Sequence, residues 1–359
     1  MIGSVRPLCE HTFVRWNNLT TEADEKARLP GYRESAVVRR FRAPDAVETR
    51  FYEIRAKSIL NRVPEASQMP FRWTINPFRG CTHACAYCFA RPTHRYLDFD
   101  AGRDFEREIV VKVNAPELLR AELARPSWKG EHVALGTNTD PYQWVEGRYK
   151  LMPGIWEAFR DAANPCSVLT KSPLLLRDLP LMREIAARTS FSAALSVPTL
   201  DEGAWRATEP HTPHPRARLE AVAELTRAGI ETGVLIAPLM PGINDAPEQV
   251  EAILELAAEA GASYVTGIAL HLRGDVHELF FDWLRAHRPE LVERYARLYR
   301  KRAYAPVEER RRLARLVKGP ELSPSERMRR APPNLRFERG VRQPPGPDLT
   351  GAQQQERLF

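Results

Sequence analysis

Three cysteines fall within eight residues, Cys81, Cys85 and Cys88, in the run Gly80-Cys81-Thr82-His83-Ala84-Cys85-Ala86-Tyr87-Cys88. Thiolates this closely spaced are metal ligands, and two kinds of centre compete for them. A structural zinc site needs a fourth donor and usually takes it from a second pair, C-x2-C or H-x3-5-H. No such pair is present: Cys9 and Cys166, the other two of the five cysteines, stand alone. His83 lies inside the triplet's own loop, where ring closure with its neighbours would be strained. Three thiolates on one short loop suit a cubane iron–sulfur cluster in which one iron keeps an open position for chemistry. The competing class is a zinc-stabilised binding protein without turnover.

The elements that must hold this loop are legible downstream of it. From residue 71 onward short apolar runs alternate with helical patterns. Strands are expected at 72–77, 132–136, 167–170, 191–197, 232–237 and 264–270, and helices at about 114–126, 154–163, 174–188, 215–228, 247–260 and 276–287. Strand then helix, six times, is an α/β pattern of parallel βα units. With right-handed crossovers it curls into a partial (β/α)6 barrel, two units short of a closed one. In such folds chemistry sits where the strands end. The cysteines follow strand one, Thr137-Asn138-Thr139-Asp140 closes strand two, and Lys171 closes strand three. Ser196 closes strand four, Ala237-Pro238 closes strand five, and His271 with Arg273 follows strand six.

The C-x3-C-x2-C triplet with an aromatic before its last cysteine resembles the signature of the radical S-adenosylmethionine (SAM) superfamily. Four longer strings resemble the branch related to spore photoproduct lyase, the DNA-repair photolyase-like proteins. They are Asn76-Pro77-Phe78-Arg79-Gly80-Cys81, Tyr87 to His94, Ala134 to Gln143, and Leu169-Thr170-Lys171-Ser172. The similarity runs from about residue 71 to about residue 300. It implies a 4Fe-4S cluster on Cys81, Cys85 and Cys88 and a SAM molecule chelated by the unligated iron. It also implies an electron donor for the cluster, and a 5′-deoxyadenosyl radical that takes hydrogen from a substrate. For cofactor binding it implies Tyr87 and Phe89 beside the adenine, Lys171 and Ser196 at the carboxylate or ribose, and Ala237 with Pro238 along the adenine pocket.

Each of these has a plainer structural reading: a rim salt bridge for Lys171, a turn cap for Ser196, packing over the cluster for Tyr87 and Phe89. Asn138, Asp140, Tyr142 and Gln143 form the most polar patch, with Asp140 alternatively fixing the turn before Pro141. Glu209, His211 and His214 look like metal donors, but the alternating prolines around them favour an extended loop. His271 and Arg273 would meet substrate or phosphate, or form an ion pair at the rim. Two departures from the family pattern stand out. Gly136-Thr137-Asn138 replaces the Gly-Gly-Glu that many radical SAM enzymes carry, which the lyase branch also lacks. No cysteine ends strand two, where the spore enzyme keeps its hydrogen donor, and Cys166, at a strand's start, belongs to the opposite rim. Cleavage of the spore photoproduct itself is therefore not expected.

Residues 1–70 read as an N-terminal extension, 71–300 as the barrel, and 301–359 as a basic, Pro-rich tail. That tail holds 14 Lys or Arg against 7 Asp or Glu, and the surplus of 7 equals the whole chain's +7. A positive arm on a neutral body is the layout of a nucleic-acid contact, or of a solubilising tail. Its Pro-rich part should be disordered, yet it closes on Gln355-Glu356-Arg357-Leu358-Phe359. Gln355, Leu358 and Phe359 match the peptide pattern by which bacterial repair proteins dock on the replicative sliding clamp. Nothing at the start resembles an export signal, no stretch is long enough for a membrane span, and thiolates poised for metal suit a reducing compartment, so a cytoplasmic location is expected. Action on DNA, modification of RNA and maturation of a protein all remain compatible with the motifs.

Overall fold

Six parallel strands are neighbours in space in the order in which they occur in the chain: β1 (Trp73–Ile75), β2 (Val133–Leu135), β3 (Cys166–Thr170), β4 (Phe191–Ser196), β5 (Glu231–Leu239) and β6 (Tyr264–Ala269). They come from a computed structural model, which describes residues 21–24, 29–30, 36–41, 49–67, 69–300 and 302–318. Trp73 pairs with Val133, Val133 with Cys166, Cys166 with Phe191, Ser192 with Glu231, and Gly233 with Tyr264. Asn61–Arg62 adds one short antiparallel strand beyond β1. Every residue of β4 is buried, as expected for a strand covered on both faces. This is the partial (β/α)6 barrel that the alternation of patterns predicts.

Helices α1 (Ala115–Leu123), α2 (Leu151–Ala162), α3 (Leu179–Ala186), α4 (Pro215–Arg227), α5 (Pro247–Glu259) and α6 (Val276–His287) lie in the connections and after β6. In α2 the apolar residues recur at helical spacing, and Leu151, Met152, Ile155, Trp156 and Phe159 are buried. Its first two N–H groups donate to the Glu146 carboxylate at 3.1 and 3.0 Å, which satisfies orphan donors of the first turn. A last helix, Val307–Lys318, covers β6, with Val317 so close that a β-carbon on Gly267 would approach it to 2.6 Å.

A second sheet joins the N-terminal extension to the barrel segment. Strands 21–24, 37–41 and 50–54 are antiparallel neighbours, and Arg50–Ile54 pairs in parallel with Glu108–Lys112, inside the barrel segment. Glu108 locks this junction, accepting from Arg50 Nε at 2.8 Å and from Tyr52 OH at 2.8 Å. The extension thus grips the chain just after the cysteine loop. The tail beyond residue 318, with Gln355, Leu358 and Phe359, and also Cys9, lie outside the described residues.

Candidate active site

The cysteine loop leaves β1 through Phe78-Arg79 and turns at Gly80, whose φ of +83° suits glycine. A β-carbon there would meet His94, the Phe105 carbonyl and Ile109 at 2.8–2.9 Å. The loop is then tied down along its backbone. Cys81 N–H donates to Phe105 O at 3.0 Å, Thr82 N–H to Gln143 Oε1 at 3.0 Å, and Ala86 N–H to Thr208 O at 2.9 Å. The fully buried Gln143 also donates to Thr139 Oγ1 at 3.1 Å, and Thr139 donates to Gly80 O at 2.6 Å. Arg91, three residues past the last cysteine, is buried and donates to Cys85 O and Ala84 O, both at 3.1 Å, while pairing with Glu106 at 2.9 Å. Gln143 belongs to the polar patch read from the sequence; Arg91 was visible there only inside a matching string.

Cys81 and Cys85 are buried and Cys88 nearly so. Burial pushes all three thiols up, Cys85 to about 12, with Cys81 and Cys85 raised further by neighbouring thiols and carboxylates. Such thiols stay protonated unless a cation replaces the proton, and metal binding is that replacement. Thr82 Oγ1, buried within the same loop, has no hydrogen-bond partner among the described residues and leaves a donor for a sulfide or thiolate. Among those residues, no three of His, Cys, Asp and Glu converge on a point suited to a single metal ion. A cubane does not require convergence, because each cysteine binds a different iron. The donor set therefore fits a cluster held by Cys81, Cys85 and Cys88. His83 is not a fourth donor in this arrangement; its Nδ1 lies 3.4 Å from Asp140 Oδ2.

Asp140 is the hinge pin between the loop and β3. It accepts from Thr170 Oγ1 at 2.6 Å, from Lys171 N–H at 2.8 Å and from Tyr142 N–H at 2.9 Å. Burial opposes its ionisation, but His83 and these hydrogen bonds outweigh it and hold the carboxyl at about 2. Tyr142 turns away, donating to Asp178 at 2.8 Å and accepting from Trp156 Nε1 at 2.6 Å. Asn138 N–H donates to Asn76 Oδ1 at 3.2 Å.

Four of the six residues proposed for cofactor binding form one chain of contacts. Lys171 Nζ donates to Ser196 Oγ at 2.6 Å, and Ser196 Oγ donates to Ala237 O at 3.0 Å. Lys171 Nζ lies 5.7 Å from the centre of the Tyr87 ring, and 3.1 Å from Glu209 Oε1, to which Tyr87 OH also donates. Phe89 is not among them: it is half exposed and packs against His271. Glu209, read from the sequence as a weak metal candidate, is instead the centre of this network. Its other oxygen meets Arg218 at 2.7 Å, and Arg218 donates to Ser196 O at 2.8 Å and to Pro213 O at 2.9 Å. Burial opposes the charge on Glu209, yet Arg218 and Lys171 prevail and keep it at about 2. His214 serves otherwise, capping α4 at Arg216 N–H. Arg218 escaped the sequence reading, although it occupies a core register of α4 with Val222 and Leu225, a position where a charge must have a partner.

Residues 75–257 match the model of the radical SAM superfamily. The chain belongs to that superfamily. An uncharacterized protein of Mycobacterium tuberculosis is 48% identical over 289 residues, spanning 80% of this chain and 85% of the relative. An uncharacterized protein of Methanocaldococcus jannaschii is 28% identical over 195 residues, 54% of this chain and 69% of its own. Among solved structures, spore photoproduct lyase complexed with dinucleoside spore photoproduct superposes with a TM-score of 0.56 at 14% identity, covering 75% of this chain and 77% of that one. Its likeness to this radical SAM protein is one of fold. Of the four cysteines described here, Cys166 alone lies outside the triplet, and it opens β3 at the rim opposite the site.

Proposed function

We propose that this radical SAM enzyme carries a 4Fe-4S cluster on Cys81, Cys85 and Cys88, cleaves SAM reductively, and acts on DNA at a lesion or modified base other than the spore photoproduct. The observation that carries the reading is the chain of contacts that joins Tyr87 through Glu209 to Lys171, and Lys171 through Ser196 to Ala237, next to a loop whose three thiols are buried or nearly so. When bound, the cluster and SAM supply a 5′-deoxyadenosyl radical, the reactive species that takes hydrogen from substrate.

The chain's own residues orient and exclude. Lys171 presents a cation at the end of β3, poised between Ser196 and Glu209, where a carboxylate ligand would exchange for one of them. The Lys171 ammonium lies over the Tyr87 ring, and Tyr87, being buried, keeps water from the thiols. Gln143, Thr139 and Arg91 hold the loop backbone so that the three sulfurs keep their mutual positions. The fold likeness to a lyase seen with a dinucleoside, and the surplus positive charge of residues 301–359, support a nucleic-acid substrate. The ending Gln355-Glu356-Arg357-Leu358-Phe359 supports delivery by a sliding clamp.

The test is anaerobic purification followed by reaction with reductant, SAM and DNA deuterated at candidate positions. Iron, sulfide, 5′-deoxyadenosine and deuterium in that product are expected. A colourless, iron-free protein that ignores SAM would sink the whole reading, whereas SAM cleavage with no deuterium from any DNA would sink the substrate assignment.

A further inference from the structure

Beyond β6 the chain builds a small outward-facing surface that lies outside the contact network of Lys171, Ser196 and Glu209. His271 and Tyr304 form an antiparallel bridge, and Leu272 N–H donates to Ala303 O at 2.7 Å. Leu272 and Ala305 point inward and are buried, so His271, Arg273, Arg302 and Tyr304 share the outer side of this two-stranded ribbon. The His271 ring stacks on Tyr304, centroids 5.5 Å apart and planes 27° apart, and packs on Phe89 at 5.6 Å and 37°. Phe89 and Tyr304 are 51% and 52% exposed, which rules out a purely core-filling role for the trio. Arg273 and Arg302 are exposed and have no ion-pair partner among the described residues, unlike nearby Arg95, which meets Asp275 at 2.5 Å.

We propose that Phe89, His271 and Tyr304, flanked by Arg273 and Arg302, form a platform that stacks unpaired bases of a DNA strand beside the nucleotide being modified. The inference rests on the nucleic-acid reading above and gives it a location. Exposed rings with free cations at their edge are the chemistry of single-strand binding, in which bases stack on aromatic faces and arginines meet phosphates. Phe89 follows Cys88 directly in the chain, so a base on this platform lies next to the cluster loop. Burial and Arg273 both lower the His271 pKa from 6.5, leaving a neutral ring face at pH 7. A flat duplex would find no such stacking edge, since its bases are already stacked on each other.

The test is fluorescence anisotropy of a labelled oligodeoxythymidylate about ten nucleotides long, within the usual single-strand site size, with anaerobic holoenzyme and SAM. Tyr304→Ala should weaken binding about 5- to 150-fold, while Tyr304→Phe stays within about twofold of the wild type. Replacing Arg273 and Arg302 by Gln should flatten the slope of log affinity against log salt by about 0.7 for each phosphate that the arginines no longer neutralise. If the wild type binds and neither Tyr304→Ala nor the arginine pair changes affinity or slope, the platform assignment falls while the nucleic-acid reading stands. If the wild type binds no DNA, both fall. Tighter binding of oligouridylate than of oligodeoxythymidylate overturns the commitment to DNA.

Discussion

Glu209 Oε2 lies 2.7 Å from an Arg218 guanidinium nitrogen, and neither side chain is exposed at all. Two buried charges are tolerated because each is saturated: Arg218 also bonds two carbonyls and Thr212, and Glu209 also meets Tyr87 and Lys171. The pair thereby joins the cysteine loop, the end of β3 and the end of β4 at one point. Removing either partner leaves an uncompensated buried charge, a loss of about 3–5 kcal/mol. Arg218→Met is therefore expected to lower the urea midpoint sharply, and Glu209→Gln to do so less, since an amide keeps one acceptor. The double variant should recover part of the loss; a double variant as unstable as the sum of the singles would contradict the coupling.

Acid should attack the same place. The carboxyls of Asp140 and Glu209 are held at about 2, below their ordinary 3.8 and 4.5. Folded-state values below the unfolded ones mean that these groups add stability above about 4.5 and lose it as pH falls toward 2. The two together contribute on the order of 6 kcal/mol of acid-sensitive stability. Stability curves measured from pH 5 to 2 should be steeper for the wild type than for Glu209→Gln. Parallel curves would show that Glu209 does not titrate in this window.

Cysteine substitutions should divide cleanly. Alanine at Cys81, Cys85 or Cys88 is expected to abolish iron and acid-labile sulfide after anaerobic reconstitution. Cys166→Ala should retain both, at a stability loss of about 1 kcal/mol for the small void left in β3. Metal analysis with visible absorption decides the matter, and a cluster lost with Cys166 would place the ligand set elsewhere.

Gln143→Ala removes the acceptor of Thr82 N–H and one of the two partners of Thr139 Oγ1 from a fully buried site. A destabilisation of about 1–3 kcal/mol is expected. The cluster should also bleach faster in air, because the loop that shields it is less firmly held. Unaltered bleaching kinetics would count against Gln143 as a loop anchor. At Gly136, with φ of +84°, a β-carbon would fall 1.9 Å from the Leu169 carbonyl oxygen, so Gly136→Ala should yield no folded protein.

Much of this was legible in the sequence, and the reasons are physical. Parallel strands buried on both faces read as short apolar runs, which is why 191–197 coincides closely with β4; 264–270 matches β6 as well, although that strand ends the sheet and none of its residues is fully buried. The polar residues at or just past the strand ends then meet at the rim, and Ser196, Lys171 and Asp140 are found there together. What stayed hidden depends on distant partners. The sequence of Glu108–Lys112 carries no sign that Arg50–Ile54 will pair with it, and Arg218 reads as one more helix arginine until Glu209 is brought beside it. His271 and Tyr304, 33 positions apart, become one surface only through the bridge that follows β6.

The parallel pairing of Arg50–Ile54 with Glu108–Lys112 also bears on how the molecule can be handled. A fragment begun at the barrel would strip a neighbour from Ile109, Val110 and Val111, all buried, and leave Glu108 without Arg50 and Tyr52. Bare strand edges of that kind invite self-association. Any shortened form therefore has to begin ahead of residue 21, because the strands that precede the barrel are stitched into the catalytic body rather than appended to it.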